Sequence, residues 1–413
     1  MANEFNKDLE IIFLCGLFAE DDEAFVETNN KIVFEQSANN FQKKVLKGIE
    51  ALGNNFSVIS APFIGPFPNR SKMIKFKEFT HKGKNINFSY LSFCNIWGYR
   101  NISRKKAFKN ELMNKLNKSV AKEILIVGYS AHEPIIESAV YAKQIDKRVK
   151  ISLIVPDLPQ YMNFSSKKSC IYSLLKKVDK CKIDKYMCSV DSFLILTEYM
   201  KKPLNIGDRP YIVIEGISDK YIDKSRVYEK DKYIRYIVYT GGLFKAYGII
   251  NLVRSFQMLN DDSLRLVLCG DGDCNDYILS AAKEDSRILF TGKVSSEEAL
   301  RWQNKASVLV NPRENTGEYV KYSFPSKIIE YLETGKPVVS YLLKGMPKIY
   351  SEFIYEIDES IDPVKALFFA INRALADDKE NIINKHKRFA DYSNQHLHYK
   401  NVVKSLIDLN IND

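Results

Sequence analysis

The sequence predicts an α/β protein made of two tandem doubly wound, Rossmann-like domains. Near-continuous runs of Ile, Val and Leu, such as Leu9–Leu14 and Glu123–Tyr129, alternate with amphipathic helical patterns. This alternation is typical of parallel sheets that helices cover on both faces. It restarts after a polar, charged stretch at residues 218–233, and 413 residues exceed the length of one ordinary domain. We therefore expect two sheets, one after the other along the chain.

The first predicted sheet takes up the N-terminal half. Strands are predicted at Leu9–Leu14, Phe56–Pro62, Glu123–Tyr129, Lys150–Pro159, Ser192–Thr197 and Tyr211–Ile217. One helix is indicated by four apolar residues that share a face: Phe41, Val45, Ile49 and Leu52. Another is predicted at residues 130–145. The run Leu9–Phe18 lacks a basic region before it and is followed by acids, so we expect a buried strand and not a signal peptide.

The second predicted sheet begins at "IRYIVYTGG". Further strands lie in "LRLVLCGDGD", "RILFTGKV", "ASVLVNPR" and "PVVSYL", with helical patterns between them. We place an N-terminal domain at residues 1–217, a C-terminal domain at 218–390 and a terminal helix within 391–413, which we expect to pack back on the first domain. Doubly wound domains bind ligands outside the carboxyl ends of their strands, so we expect a ligand in a cleft between the domains.

Composition limits the classes of function. The seven cysteines are scattered without paired metal spacing, as reduced cytosolic thiols are. No run of 18 apolar residues is present, so we expect no membrane span. The net charge is +10, but no nucleic-acid-binding motif accompanies it, and we do not expect nucleic acid as a partner.

The segment "YSFPSKIIEYLETGKPVVS", residues 322–340, predicts a helix with polar residues in its opening turns. Pro325 suits the first helical position and Gly335 suits the end. Helix N-termini favour anions, and Lys327 adds positive charge there, whereas Glu330 would repel a phosphate. The pair makes sense for a ligand that has both a phosphate and a hydroxyl-bearing part. The alternative is a surface Lys–Glu pair on one helix face.

These segments together resemble the GT-B-fold glycosyltransferases, and specifically the retaining enzymes of glycosyltransferase family 4, polysaccharide-forming branch. The resemblance covers about residues 237–340 and rests on four motifs in order: "YTGGLFKAYGI", "LVLCGDGD", "ILFTGKVSSEEALRWQNKASVLVNPR" and "SFPSKIIEYLETGKPVVS". The N-terminal half is similar only generically, through "VGYSAHEP" and "VPDLPQYM".

The resemblance implies a nucleoside-diphosphate sugar as donor, UDP-linked as is usual in the family, and no separate cofactor. Glu330 matches the glutamate that holds the ribose hydroxyls. The family's first glutamate falls on Tyr322, its loop arginine on Gly242 and its loop lysine on Tyr247. Arg313, Lys327 and Lys245 are the cations left for the diphosphate. The donor-binding residues implied are Gly16, Gly241, Gly242, Lys245, Asp271, Tyr322, Ser323, Pro325, Ser326, Lys327 and Glu330.

Three residues are candidates for a catalytic role: His132, Arg313 and Lys327. His132 follows a strand and is expected near the donor sugar or the acceptor, with a capping or core histidine as the alternative. The alternative for Arg313 is a pair with Glu314 or Glu318. Asp157 is assigned to the acceptor side, with turn formation as its alternative. The "DGD" turn at Asp271 is expected to hold no metal ion.

The predicted activity is a metal-independent, retaining, hexosyltransferase-type transfer to a glycan acceptor, lipid-linked, in surface polysaccharide synthesis. The alternative is a non-catalytic subunit that stabilises a catalytic glycosyltransferase, suggested by the lost first glutamate. Residues 99–122 and 165–187 are basic and amphipathic. They are either ordinary solvated helices or a peripheral contact with anionic lipid at the inner face of a bacterial membrane, which would accompany a cytoplasmic location.

Overall fold

The computed structural model describes residues 8–18, 20–31, 36–53, 55–77, 79–82, 87–158, 181–224 and 233–411. The chain divides into two compact units. The first runs to Asp219 and is completed by His396–Asp413, and the second is Lys220–Gln395. The predicted domain limits were 217 and 390.

The first unit is built on an eight-stranded sheet with the order β10-β9-β8-β7-β1-β2-β5-β4. All neighbouring strands are parallel except β4 and β5. The strands, with the small β3·β6 ribbon included, are β1 Leu9–Cys15, β2 Asn55–Ser60, β3 Lys75–Phe76, β4 Phe79–Lys82, β5 Asn87–Tyr90, β6 Phe93–Cys94, β7 Glu123–Tyr129, β8 Val149–Val155, β9 Ser192–Ile195 and β10 Tyr211–Val213. Every residue of β1 is buried, as its unbroken apolar run predicts.

Helices of the first unit are α1 Glu20–Asn29, α2 Gln36–Leu52, α3 Arg100–Lys118 and α4 Glu133–Ile145. The terminal helix α11, Tyr399–Ile411, also belongs to this unit and packs on α2. Asn410 in α11 accepts a hydrogen bond from Ser192 Oγ at 2.9 Å, and its carbonyl accepts one from Lys150 Nζ at 2.6 Å. The end of the chain is therefore tied to the edge half of the first sheet.

The second unit has six parallel strands in the order β13-β12-β11-β14-β15-β16. They are β11 Arg235–Thr240, β12 Leu264–Cys269, β13 Ile288–Gly292, β14 Val308–Asn311, β15 Val338–Ser340 and β16 Tyr355–Glu356. The helices are α5 Ile249–Gln257, α6 Asn275–Glu284, α7 Ser296–Lys305, α8 Ser326–Leu332, α9 Pro363–Ala376 and α10 Lys379–Tyr392. Side chains cap several starts; Ser295 accepts from the Glu298 N–H at α7, for example.

The predicted fold class is confirmed, because each unit is a largely parallel sheet covered by helices. The second sheet has the 3-2-1-4-5-6 order of doubly wound domains, which reverses direction between β11 and β14. In the first sheet the parallel strands reverse in the same way between β1 and β7. Short strands β3 to β6 were not predicted, because runs of two to four residues are too brief to show alternation.

Candidate functional site

We call the place where the strand order of a sheet reverses its switch point, which in the second unit lies between β11 and β14. This switch point brings together residues from two separate parts of the sequence. Strands β11 and β14 are neighbours, with Ile237 opposite Val308. Gly241 and Gly242 follow β11, and Arg313 follows β14 after Pro312. Ligands of doubly wound sheets bind in the crevice where strand order reverses. The chain therefore places predicted donor residues at the position where this fold binds ligands.

Gly248 and Gly270, which lie in and against the loop after β11, have no room for a side chain. The N–H of Gly241 donates to the Cys269 carbonyl at 2.9 Å, and a Cβ on Gly270 would lie 1.8 Å from the Gly241 oxygen. Gly248, at φ +75°, has no room either, since a Cβ there would lie 2.2 Å from the Pro312 oxygen. Gly248 and Gly270 were not singled out from the sequence, because close approach between loops is visible only in the tertiary structure.

Arg313 is held in a half-buried position between two aromatic rings. Its guanidinium carbon lies 5.4 Å from the ring centroids of both Tyr247 and Tyr319, and Nη2 donates to Ser323 Oγ at 3.2 Å. Its Nε is buried and has no hydrogen-bond partner within the described parts of the chain. A buried N–H without a hydrogen-bond acceptor costs free energy. The guanidinium of Arg313 is therefore preorganised to donate to a further acceptor.

Neither acid proposed as an alternative partner of Arg313 pairs with it. Glu314 Oε1 accepts from Asn251 Nδ2 at 2.7 Å. Glu318 forms an ion pair with Lys321 at 2.5 Å. The Arg313 charge is therefore not neutralised by its neighbours in sequence.

Helix α8 begins one residue later than the sequence predicts. Pro325 is the N-cap, with φ −76° and ψ 98°, and Ser326 is the first helical residue. The prediction that Pro325 occupies the first helical position was wrong by this one residue. The helix ends at Leu332, and Gly335 follows at φ +73° with its N–H donating to the Leu332 carbonyl at 3.1 Å.

Lys327 and Glu330 form an ion pair with each other. Lys327 Nζ lies 2.8 Å from Glu330 Oε2, and the two side chains are 36% and 43% exposed. An exposed pair of this kind contributes only about 0.3–0.5 kcal/mol, so a ligand can separate it at little cost. Ser326 beside them is exposed, Ser323 contacts Arg313, and Tyr322 lies under Lys321 Nζ at 5.1 Å from the ring centroid.

Tyr331, on the buried face of α8, ties this helix to the end of β11. Its hydroxyl accepts from the Thr240 N–H at 2.8 Å and donates to the Thr240 carbonyl at 3.2 Å. Gln303 Nε2 donates to Thr240 Oγ1 at 2.9 Å. Burial raises the pKa of Tyr331 far above its ordinary value, so the hydroxyl keeps its proton. Tyr331 was not singled out from the sequence, because its partner Thr240 lies 91 residues away along the chain.

The "DGD" turn is held by local hydrogen bonds. Asn275 Nδ2 donates to Asp271 Oδ1 at 2.6 Å, and the Lys245 N–H donates to Asp273 Oδ1 at 2.8 Å. Lys245 and Asp271 are exposed. Within the ranges that the structure describes, no group of three or more His, Cys, Asp or Glu could hold a metal ion.

The switch point of the first unit brings Gly16, after β1, close to His132, after β7. The Gly16 N–H donates to Gln42 Oε1 at 3.0 Å. A Cβ on Gly16 would lie 2.3 Å from the Phe63 ring, so glycine is required to seat that ring. Phe63 meets His132 edge to face, with centroids 5.7 Å apart. Phe63 was not predicted as a site residue. Asp157, after the neighbouring strand β8, is exposed.

His132 caps the start of α4 with extended backbone, and its side chain makes no capping hydrogen bond. Burial, and secondly the charges of Arg104 and Arg100, lower the pKa of His132 to about 3. The imidazole is therefore neutral at physiological pH. It can donate or accept a hydrogen bond but does not supply a standing positive charge.

Three side chains hold the loop that carries Phe63. Arg104 is 2% exposed, lies 4.4 Å from the Phe93 ring centroid and donates through Nη2 to the Pro62 carbonyl. Arg100 Nη1 donates to the Ile64 carbonyl at 3.0 Å, and Asn95 Nδ2 to the Gly65 carbonyl at 2.8 Å. Both arginines belong to the basic segment 99–122, and both are structural supports of this loop.

Helix α3 forms most of the basic segment 99–122, for which an ordinary helix and a membrane contact were the two alternatives. Phe108, Leu112 and Leu116, which form the apolar face of this amphipathic helix, are buried in the first unit. Lys105 and Lys109 on the same helix form ion pairs with Glu137 at 2.9 and 3.0 Å. The alternative of an ordinary helix packed on its own domain is therefore confirmed for the apolar face of α3, and membrane contact of this segment stays a prediction. Residues 165–180 of the second basic segment lie outside the described residues.

No helix among the described residues is long and apolar enough to cross a membrane. Residues 234–377 match the family model of glycosyl transferases group 1. No curated protein matches the chain in sequence.

Solved structures resemble nearly the whole chain at low identity. WaaG, a glycosyltransferase involved in lipopolysaccharide biosynthesis, is 12% identical, with 97% of this chain and 100% of that chain covered and a TM-score of 0.61. Sucrose-phosphate synthase from Thermosynechococcus elongatus is 14% identical, with 97% and 98% covered and a TM-score of 0.60. An alpha,alpha-trehalose-phosphate synthase (UDP-forming) from Burkholderia xenovorans is 11% identical, with 97% and 99% covered and a TM-score of 0.60.

At these identities the similarity establishes the fold. The finer assignment to family 4 and the individual site residues stay predictions. The chain has the GT-B fold, and its residues 234–377 match the model of glycosyl transferases group 1.

Proposed function

We propose that this protein transfers a sugar, with retention of configuration, from a UDP-linked donor to a lipid-linked glycan acceptor in surface polysaccharide synthesis. One observation supports it most. Arg313, half-buried between Tyr247 and Tyr319 and with a buried Nε that has no partner in the described chain, lies at the switch point of a glycosyl transferases group 1 domain. A planar cation preorganised there suits diphosphate oxygens.

The other donor contacts follow from the same edge of the sheet. Lys327 would leave Glu330 for the diphosphate, next to the free N–H groups that start α8. Glu330 would then accept hydrogen bonds from the ribose hydroxyls. Gly241 and Gly242 let backbone approach the phosphates, and Lys245 is exposed beside them.

The chemistry proposed is a front-face displacement. The acceptor oxygen forms a bond to the anomeric carbon while the bond from that carbon to the diphosphate oxygen breaks. The acceptor proton passes to a departing phosphate oxygen. The chain contributes position and charge, because Arg313 and Lys327 stabilise the leaving diphosphate. His132, neutral at physiological pH, would orient a sugar hydroxyl.

UDP and a polysaccharide acceptor are supported by the relatives only. One structural neighbour is named as UDP-forming, and WaaG is named for lipopolysaccharide biosynthesis. A second candidate function is a non-catalytic partner subunit. It is favoured by Tyr322 at the position of the family's first glutamate and by the closed Lys327–Glu330 ion pair.

Calorimetric titration with UDP, GDP and ADP tests the donor site. We expect UDP to bind most tightly, and Arg313→Ala to weaken it about ten- to a hundredfold through loss of a charge-assisted contact. Arg254→Ala, which removes an exposed arginine from α5, is the matched control. Wild-type affinity in Arg313→Ala would contradict the assignment. Slow release of UDP from a UDP-sugar by the wild type separates the enzyme from the non-catalytic subunit.

A further inference from the structure

The positive charge of this protein is concentrated in one-eighth of its length. Residues 61–110 contain a single acid, Glu78, and eleven basic residues: Arg70, Lys72, Lys75, Lys77, Lys82, Lys84, Arg100, Arg104, Lys105, Lys106 and Lys109. The net charge of this segment equals that of the whole chain, +10, and the remaining basic and acidic residues balance. The charge is therefore a local feature of the first unit and not a general property of the surface.

Exposed apolar side chains lie in the same segment. Five of them are between 43% and 55% exposed: Ile74, Ile96, Trp97, Tyr99 and Ile102. Backbone hydrogen bonds hold them together, since the Asn95 N–H donates to the Ile74 carbonyl at 2.7 Å and the Tyr99 N–H to the Ile96 carbonyl at 3.1 Å. Single exposed apolar residues need no explanation, but a cluster with Trp and Tyr indicates a contact surface.

Eight of the eleven basic residues fall into two classes. Lys105, Lys109 and Arg104 are used internally, by ion pairs with Glu133 and Glu137 or by burial. Five others are exposed and form no ion pair within the described chain: Arg70, Lys72, Lys75, Lys77 and Lys106. We call these five, with the five exposed apolar residues, the basic aromatic patch.

The patch is continuous with the loop at the first unit's switch point. The Phe67 N–H donates to the Asn95 carbonyl at 2.9 Å, and Arg100, between Tyr99 and Ile102 in sequence, donates to the Ile64 carbonyl at 3.0 Å. The loop carrying Phe63 is thus the neighbour of the patch along the same edge of the sheet.

We propose that the basic aromatic patch docks on an anionic phospholipid surface. Trp, Tyr and Ile side chains at the headgroup level together with Lys and Arg near the phosphates are the combination such an interface favours. A second copy of this chain would bring like charge against like charge. Nucleic acid would satisfy the lysines, but it offers no apolar partner to Ile74, Ile96 and Ile102. The proposal does not depend on glycosyl transfer and holds equally for a non-catalytic subunit.

Vesicle sedimentation with the full-length protein tests the proposal. We expect binding to phosphatidylcholine vesicles that contain phosphatidylglycerol, none to phosphatidylcholine alone, and release at high salt, because screening shortens the range of surface charge. Lys75→Glu combined with Lys106→Glu should reduce the partition coefficient at least about tenfold. Trp97→Ser combined with Ile102→Ser should reduce it similarly and leave the salt dependence of the residual binding unchanged.

Matched control variants carry the same kinds of substitution outside the basic aromatic patch. Lys283→Glu with Lys348→Glu alters net charge equally, and Phe369→Ser removes an aromatic residue that is 59% exposed; both should bind like wild type. Thermal unfolding and UDP titration of every variant separate loss of the patch from loss of folding or of the donor site. Equal binding to neutral vesicles, no binding to either, or binding by the patch variants equal to wild type would each overturn the proposal. The proposal would also be overturned if the wild type bound RNA but not vesicles and if Lys75→Glu combined with Lys106→Glu abolished that RNA binding.

Discussion

The Tyr331 hydroxyl hydrogen-bonds to both backbone groups of Thr240, at 2.8 Å from its nitrogen and 3.2 Å from its oxygen. Thr240 is the last residue of β11 and precedes Gly241, whereas Tyr331 lies in α8 with Lys327 and Glu330. One buried hydroxyl therefore sets the distance between the glycine loop and the helix proposed to hold the donor.

Tyr331→Phe should destabilise the second unit and weaken UDP binding together. The change leaves the buried Thr240 N–H without its acceptor, which costs roughly 1–3 kcal/mol. Urea unfolding and calorimetric titration measure the two effects. Tyr277→Phe, a substitution in α6, is the control and should change neither. Normal UDP affinity in a destabilised Tyr331→Phe protein would mean that the tie has no part in binding.

Glu330→Gln should weaken UDP binding and preserve the fold, because a neutral amide accepts ribose hydroxyls less strongly than a carboxylate. The change also breaks the ion pair with Lys327, whose stabilising effect is small at this exposure. Comparison of UDP with 2′-deoxy-UDP in both proteins isolates the ribose contact. A wild type that binds the two nucleotides equally would rule out this role for Glu330.

Chelator should leave transferase activity largely intact, because Arg313, Lys327 and the start of α8 can supply the positive charge that the diphosphate needs. The two carboxylates of the "DGD" turn are already engaged by Asn275 and by the Lys245 N–H. Activity in EDTA, measured as UDP release, checks this. Loss of activity that magnesium or manganese restores would instead assign the turn to a metal ion.

The stability of the protein should depend on His132 below neutral pH. Its folded pKa of about 3 lies below the ordinary value of 6.5, so the unfolded chain takes up a proton that the folded chain does not. This contribution to stability is complete above pH 6.5 and is lost as pH falls toward 3, by up to about 1.4 kcal/mol per pH unit. His132→Asn should flatten the decline in urea unfolding free energy between pH 6.5 and 5. Parallel declines in both proteins would show that His132 titrates normally.

Gly16→Ala should disturb the first unit's switch point through Phe63. The added methyl would lie 2.3 Å from the ring, and overpacking of this kind costs about 1–3 kcal/mol. We expect reduced stability in urea unfolding and reduced transferase activity. Phe63→Ala in the same chain should restore stability relative to Gly16→Ala alone, since it removes the clash. If the stability losses of the two single variants simply add in the double variant, Phe63 is not what excludes a side chain at residue 16.

Sequence pattern by itself determined the two α/β units, the strands that form their centres and the loops that follow β11 and β14. Runs such as Leu9–Leu14 must be buried on both faces wherever they occur, and this requirement needs no knowledge of neighbours. The pattern also identified the segment around Lys327 and Glu330, because their residue types and spacing are local.

Only the tertiary structure decided which face of α3 is covered, that Arg104 is an internal support and that Arg313 stands between two tyrosines. The charge of an arginine is the same in each case. Its role depends on which carbonyl group, aromatic ring or carboxylate lies next to it in the folded chain. The same holds for Gly16 and Tyr331, whose functions are contacts with Phe63 and Thr240, 47 and 91 residues away along the chain. The local periodicity of a sequence predicts which residues are buried. Long-range contacts such as these depend on the order of the strands in the sheet, and no local pattern predicts that order.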